Sequence, residues 1–188
     1  MKQPMIILIG PSGVGKSSFL EQALRDFSRL RDTVTFTTRA MRQGESEGNP
    51  YHFVSKERFE QLIEESFFIE HARVHDNWYG TPYSQLEEAW LADEVVIMDV
   101  DVQGANTFKT KFPTALTVFI LPPSIEALRH RVLKREAGRP PKDLDLRMQN
   151  AAKEMSEAGR FDHQIVNDQF APAYGQLKKL IEDYLRNR

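Results

Sequence analysis

Residues 5–17 limit what this chain can fold into more than any other stretch. Met5-Ile6-Ile7-Leu8-Ile9 runs without a break into Gly10-Pro11-Ser12-Gly13-Val14-Gly15-Lys16-Ser17, a complete G-x-x-x-x-G-K-S pattern followed by Ser18. Five consecutive apolar residues ending at a glycine predict a strand buried on both faces. After Ser17 the apolar residues Phe19, Leu20, Ala23, Leu24 and Phe27 fall at helical spacing. Strand, glycine-rich loop and helix thus come in the order that a phosphate cradle requires. The glycines let backbone N–H groups turn inward toward an anion, and the helix N-terminus adds partial positive charge. Lys16 is placed to reach the β- and γ-phosphates of a nucleoside triphosphate, and the Ser17 hydroxyl to hold Mg²⁺. A glycine-rich turn with an incidental lysine is the competing reading; four fixed positions and two correct flanks weigh against it.

The rest of the chain predicts an α/β fold with a parallel sheet covered by helices on both faces, the P-loop NTPase type. A helix is expected from Ser17 to about Arg31, then a strand over Thr33–Thr38, a polar loop over 39–50 and a short strand at Tyr51–Val54. Ser55 is a plausible N-cap for a helix carrying Phe59, Leu62 and Ile63 on one face. Phe67–Val74 reads as a strand, and Asn77–Pro82, with its glycine and proline, as a loop or edge segment. From Ser84 the helix–strand rhythm returns: helix to Leu91, strand Glu94–Asp99, helix Val102–Lys111, strand Leu116–Leu121, helix to about Lys134. A loop at 136–142, a helix over Leu144–Ala158, a strand at His163–Val166 and a closing helix from about Ala171 complete it. Alternating strands and helices imply parallel pairing. Residues 35–83 lack that rhythm and are expected to form an inserted lobe.

Composition narrows the function classes. The 188 residues carry 40% hydrophobic and 28% charged side chains, ordinary for a globular domain. A net charge of −2 supplies no overall basic field to attract nucleic acid. With no cysteine, disulfides, thiol nucleophiles and cysteine-ligated zinc are excluded. No apolar run is long enough for a membrane span or a signal peptide, so a cytoplasmic location is expected.

Several side chains have chemistry that suits a phosphate-transfer site. Asp99 ends an apolar strand, at the sheet edge where ligands bind in open α/β folds, and suits the magnesium side of the phosphate loop. Capping the next helix is the competing job, for which Asp101 is as well placed. Arg39 and Arg42, with Tyr51 and Tyr79, offer the guanidinium forks and hydroxyls that a phosphate dianion needs. Glu70 sits beside Phe67-Phe68-Ile69, where a buried carboxylate needs a partner. Guanine presents adjacent N–H donors there and adenine does not; a solvent-facing strand glutamate is the alternative. Arg129, Arg131, Lys134, Arg135, Arg139, Lys142 and Arg147 fit either a lid that delivers arginines or a solvated basic surface. His71 and His75 are about 13 Å apart in an extended strand, too far to share a metal.

Taken together these segments resemble the guanylate kinase family along nearly the whole chain. The resemblance is carried by GPSGVGKSS at 10–18, TTRAMRQGE at 37–45, YHFVS at 51–55 and FFIEHA at 67–72. It continues through NWYGT at 77–81, IMDVDVQGA at 97–105, FILPPS at 119–124 and IVNDQF at 165–170. It implies ATP-dependent phosphorylation of GMP, and of dGMP, with Mg²⁺, in a single domain with three parts. These are a core (about 1–33, 84–125 and 148–188), a GMP-binding lobe (about 34–83) and a lid (about 126–147). By the same resemblance, residues 10–18 hold ATP; Arg39, Arg42, Tyr51 and Tyr79 hold the GMP phosphate; and Thr35, Glu70, Thr81 and Asp101 read guanine. Lys16, Arg42, Arg135 and Arg147 become the catalytic cations, and Ser17 and Asp99 the magnesium side, Asp99 through water. The family's glycine-arginine-glycine lid turn is replaced by Lys134-Arg135-Glu136-Ala137-Gly138-Arg139-Pro140-Pro141, which leaves Arg135 and Arg139 as alternatives. The implied partners are the small molecules GMP and ATP, with no nucleic acid or membrane, in a monomer or homodimer. The contrasting class is a guanylate-kinase-like scaffold module that binds phosphopeptides without catalysis. Such modules typically have a degraded phosphate loop, whereas Lys16 and Ser17 are intact here.

Overall fold

The computed structural model describes residues 3–42, 44–74, 76–135, 141 and 143–187. In chain order the elements are β1 (Met5–Ile9), α1 (Lys16–Asp26), β2 (Leu30–Arg31), β3 (Thr35–Thr37), β4 (Ser46–Glu47) and β5 (Pro50–Phe53). They continue with α2 (Lys56–Glu64), β6 (Phe68–Val74), β7 (Asn77–Pro82), α3 (Tyr83–Leu91), β8 (Val95–Val100) and α4 (Val102–Lys111). Then come β9 (Leu116–Leu121), α5 (Ile125–Arg135), α6 (Leu144–Ser156), a 3₁₀ turn at Ala158–Arg160, β10 (His163–Val166) and α7 (Phe170–Arg186).

Five strands form a parallel sheet in the order β10-β9-β1-β8-β2. The central strand β1 is buried at every position because its two faces feed two different cores. Ile6 and Leu8 pack with Phe19 and Leu20 of α1, Leu128 and Val132 of α5, Met148 of α6 and Leu177 of α7. Met5, Ile7 and Ile9 pack on the opposite face with Leu86 and Trp90 of α3 and Ala105 and Phe108 of α4. Each such side chain contributes about 1.5–3 kcal/mol on burial, which is why an unbroken apolar run belongs at the centre of the sheet.

A second sheet, ordered β4-β5-β3-β7-β6, is built from residues 35–82. It mixes parallel β3–β5 and β4–β5 pairs with antiparallel β3–β7 and β6–β7 pairs. One face is covered by α2: the ring of Phe59 stacks on Phe68 at 4.6 Å and on Trp78 at 5.9 Å. The Ser55 hydroxyl accepts the Arg58 N–H at 3.1 Å and caps that helix as expected.

Four local expectations are corrected. The stretch 39–50, read as a loop, contains the short strand Ser46–Glu47, paired in parallel with β5, which itself begins at Pro50. The first helix ends at Asp26, not Arg31: Phe27 turns extended (φ −130°) and Leu30–Arg31 joins the main sheet beside β8. A two-residue strand has no periodicity to betray it. Asn77–Pro82 is an interior strand, paired on both sides. Gly80, which suggested a loop, lies where a Cβ would come within 2.8–2.9 Å of Phe68 and Phe59, so the glycine serves packing. The helix expected to reach Ala158 stops at Ser156 and gives way to the 3₁₀ turn.

Candidate active site

The phosphate loop leaves the buried end of β1 and wraps the start of α1. Gly10 has φ +145°, and a Cβ there would lie 2.4 Å from the Ile120 carbonyl oxygen of β9. Gly15 occupies the helix N-cap at φ +104°, a left-handed conformation that suits glycine, and it offers no side chain to cap the Lys16 and Ser17 N–H groups that open α1 and can face an anion. Lys16 Nζ bends back to donate to the carbonyls of Gly10 (2.5 Å) and Pro11 (3.5 Å). A flexible ammonium held by loop carbonyls has phosphate oxygens as its natural replacement partners. Ser17 Oγ lies 3.4 Å from Asp99 Oδ2, on the C-terminal end of β8. Hydroxyl and carboxylate thus meet beside the loop, a donor set that fits Mg²⁺ held by one or two protein oxygens plus substrate phosphates. Asp101 caps α4, its Oδ1 accepting the Gly104 N–H at 2.8 Å.

The second sheet lines up the remaining residues. The β3–β5 register sets Thr35 opposite Tyr51, and the β6–β7 register sets Glu70 opposite Thr81. Phe36 pairs with Gly80, so the β3–β7 register carried back one residue sets Thr35 beside Thr81. Tyr51, Thr35, Thr81 and Glu70 therefore form one row across four strands, spanning about 14 Å at about 4.8 Å per strand. Tyr79, two residues before Thr81, shares that face, and its ring lies 5.8 Å from that of Tyr51.

Glu70 reaches this face through an irregularity in β6. Simple alternation would set Phe68 and Glu70 on the same side. The register shifts between them, so Phe68 packs against Phe59 while Glu70 pairs with Thr81. Glu70 is 9% exposed, and no donor among the described residues bonds its carboxylate. Burial, with Asp101 adding to it and Lys111 opposing, pushes its pKa up to about 7. Gly104 of α4 lies beside this carboxyl: a Cβ there would sit 3.6 Å from it, in ordinary contact.

Arg39 is held ready at the other end of the row. Its guanidinium bonds Glu45 at 2.8 Å and lies 5.3 Å from the centre of the Tyr51 ring. Arg39 in turn holds the Glu45 carboxyl below its ordinary value, and the other Glu45 oxygen accepts the Arg42 N–H at 2.7 Å. Burial, with Asp99 next in weight, raises the Tyr51 hydroxyl to about 12, so Tyr51 is a donor throughout the neutral range. Arg147 is paired with Asp143 at 2.9 Å on α6. The Arg135 side chain and all of Arg139 lie outside the described residues.

Glu45, which bonds both Arg39 and the Arg42 backbone, carries no local sequence signal, and the other side of the loop holds more such residues. A cleft of about 480 Å³ is lined by Gly13, Gly15, Gln22, Arg131, Asn167 and Phe170, among others. Arg131 donates to the carbonyls of Asn167 (2.7 Å) and Asp168 (3.1 Å), and the Asn167 amide donates to the Val14 carbonyl at 2.8 Å. This network joins α5, the β10–α7 connection and the phosphate loop. Arg131 had been visible only as one basic residue among seven. Its partners lie 36 and 37 residues away, beyond any local pattern.

A strand–loop–helix phosphate cradle at the C-terminal edge of a parallel sheet, faced by a second sheet with a polar row, defines a P-loop kinase. A family model described as guanylate kinase matches residues 2–184. The guanylate kinase of Bdellovibrio bacteriovorus is 57% identical, the match covering 98% of this chain and all of that one. That of Photorhabdus laumondii is 43% identical over 94% of this chain and 86% of its own. Among solved structures, guanylate kinase from Anaplasma phagocytophilum superimposes with a TM-score of 0.78 at 31% identity, covering 97% of this chain and 87% of its own. Shikimate kinase from Acinetobacter baumannii shares the fold at a TM-score of 0.50 and 15% identity. The chain belongs to the guanylate kinase family.

Proposed function

We propose that the chain transfers the γ-phosphoryl group of ATP to GMP, and to dGMP, releasing ADP and GDP (or dGDP) in the cytoplasm, with each residue acting as follows. The amides of residues 12–17 and the Lys16 ammonium bind the β- and γ-phosphates. Arg39, Arg42, Tyr51 and Tyr79 hold the acceptor phosphate, while Thr35, Thr81, Glu70 and Asp101 read guanine at the far end of the row. The acceptor phosphate is mostly a dianion at neutral pH, with a second pKa of about 6, so it attacks without a general base. Positioning and charge neutralisation then carry the catalysis. Ser17 and Asp99 would hold Mg²⁺, which when bound neutralises charge on the β- and γ-phosphate oxygens. Arg135 or Arg139, with Arg147, would bring further positive charge to the transferring group.

The observation that carries this reading is the row itself, with a cation and two phenols at one end and a buried, unbonded carboxylate at the other. A purine monophosphate with N–H donors on its base edge fits those two ends. Adenine would place its N1 acceptor against Glu70. A site that depends on such hydrogen bonds discriminates by about 10⁴-fold. The test is a coupled ADP-release assay with ATP and each of GMP, dGMP, AMP, UMP and CMP. Turnover is expected with GMP and dGMP alone; comparable turnover with AMP would overturn the base assignment, and none with GMP the whole reading.

A further inference from the structure

One carboxylate beside the phosphate loop has no role in this reading. Asp32 follows β2, whose register with β8 pairs Leu30 with Val95 and Arg31 with Val96. Leu30, Val95 and Ile97 all enter the core that lies under α1. Alternate residues of a strand share a face, so Asp32 follows Leu30 onto the face where Asp99 follows Ile97. The same register carried forward sets Asp32 beside Ile97, diagonal to Asp99, at about 7–8 Å between backbones. Both carboxylates therefore stand at the C-terminal edge of the sheet, on the side of α1, whose Ser17 bonds Asp99.

Asp32 also lacks a structural occupation. Its neighbour Arg31 turns to the opposite face and pairs with Glu94 at 3.2 Å and Glu88 at 3.5 Å. The one hydrogen bond to the Asp32 carboxylate among the described residues comes from the adjacent Thr33 N–H at 2.7 Å. No cation of the chain pairs with it among those residues, and burial, with Asp99 adding to it, pushes its carboxyl up to about 7. Two carboxylates face the entry of a polyanionic substrate, an arrangement that, when both are charged, costs free energy unless a cation sits between them.

We propose that Asp32 is a second magnesium-side positioning residue, accepting a hydrogen bond from a water on the Mg²⁺ that the donor triphosphate carries. The inference rests on the magnesium reading of Ser17 and Asp99. Mg²⁺ keeps several waters at about 2.1 Å, and a carboxylate hydrogen-bonded to such a water sits roughly 4 Å from the ion. Carboxylates on diagonal positions of adjacent strands are spaced to flank one hydrated ion in this way. Asp32 then works in two directions. It favours the metal complex of the nucleotide, and it repels the same nucleotide when the metal is missing.

Those opposite signs make the test. Manganese stands in for magnesium, and binding of Mn²⁺ to the protein–AMPPNP complex is followed by electron paramagnetic resonance. AMPPNP affinity is measured separately by calorimetry in EDTA. Asp32→Asn is expected to weaken Mn²⁺ binding three- to ten-fold and to tighten metal-free AMPPNP binding about two-fold or more. Asp32→Ser repeats the measurement if the asparagine variant fails to fold. Unchanged Mn²⁺ affinity overturns the proposal, and so does equal weakening of both affinities, the signature of a merely structural role. Asp99→Asn separates the two readings. If it too leaves Mn²⁺ affinity unchanged, the magnesium assignment falls; if it alone weakens Mn²⁺, only the role of Asp32 does.

Discussion

At the scale of single residues, Lys16 and Glu70 depend on opposite kinds of surroundings. Lys16 is held by two carbonyls, and in the proposed reading its charge gains most where negative charge builds up between the phosphates. Lys16→Met is expected to lower kcat by about 10²–10³-fold, the loss typical of a single stabilising donor. Circular dichroism and melting temperature should stay unchanged, because the side chain supports no packing; near-normal turnover would refute its role. Glu70 is buried, and that burial pushes its carboxyl up to about 7 from an ordinary value of about 4.3. A raised carboxyl means the unliganded fold prefers the protonated form. That stabilisation is complete below pH 4 and is lost as the pH rises through 7. In the proposed reading guanine reverses the preference, since its N–H donors need the carboxylate. Below pH 7 GMP binding must therefore expel a proton and weaken, approaching ten-fold per pH unit. Calorimetry between pH 6.5 and 8 in buffers of different ionisation enthalpy measures both effects. Glu70→Gln should abolish the proton release that does not belong to the GMP phosphate; an identical pH profile in that variant would sink the assignment.

At the scale of elements, what the sequence disclosed was local and what it hid was long-range. The phosphate loop was legible because strand, turn and helix follow one another within thirteen residues and each glycine answers a local need. The Ser55 cap and the ten-residue α4 were legible for the same reason. β7 was not, because Gly80 and Pro82 signal a break until Phe59 and Phe68 are seen to fill the space above the glycine. Nor was the row from Tyr51 to Glu70, which depends on three strand registers and the irregularity at Ile69. Of the residues that face GMP in this reading, Arg39, Arg42, Tyr51, Tyr79 and Glu70 were legible from their chemistry and Thr35, Thr81 and Asp101 only through family resemblance, while their alignment on one face came from the pairing. Gly80→Val tests that packing. The added side chain must displace Phe59 or Phe68, and overpacking of this kind costs about 1–3 kcal/mol. The urea midpoint is expected to fall accordingly; an unchanged midpoint would mean that α2 does not rest on Gly80.

At the scale of the whole molecule, the proposed reading has two sheets present two phosphates to each other, and the contacts between the two parts set their relation. The chain passes between the sheets twice, from β2 to β3 and from β7 to α3. One side chain ties the two crossings together: Gln85 Oε1 accepts the Val34 N–H at 2.7 Å, and its Nε2 donates to the Val34 carbonyl at 3.3 Å. Away from this clamp, Lys111 Nζ donates to the Ile69 carbonyl, anchoring β6 to α4 next to Glu70. Hinges that absorb a domain closure sit at such element ends. Gln85→Ala removes both bonds to Val34 and touches no residue assigned to either nucleotide. At about 1 kcal/mol per bond, the loss is bounded near 2 kcal/mol, or roughly thirty-fold in an equilibrium. If the clamp orients the sheets, that loss should raise KM for GMP several-fold and lower kcat, while AMPPNP affinity stays put because the phosphate loop lies wholly in the core. Small-angle scattering adds a separate measurement. Wild type should contract on addition of GMP with AMPPNP, and the variant should start more expanded and contract further. If Gln85→Ala lowers the melting temperature but leaves KM for GMP and the scattering curves as in wild type, the clamp serves stability alone, and the angle between the sheets is set elsewhere.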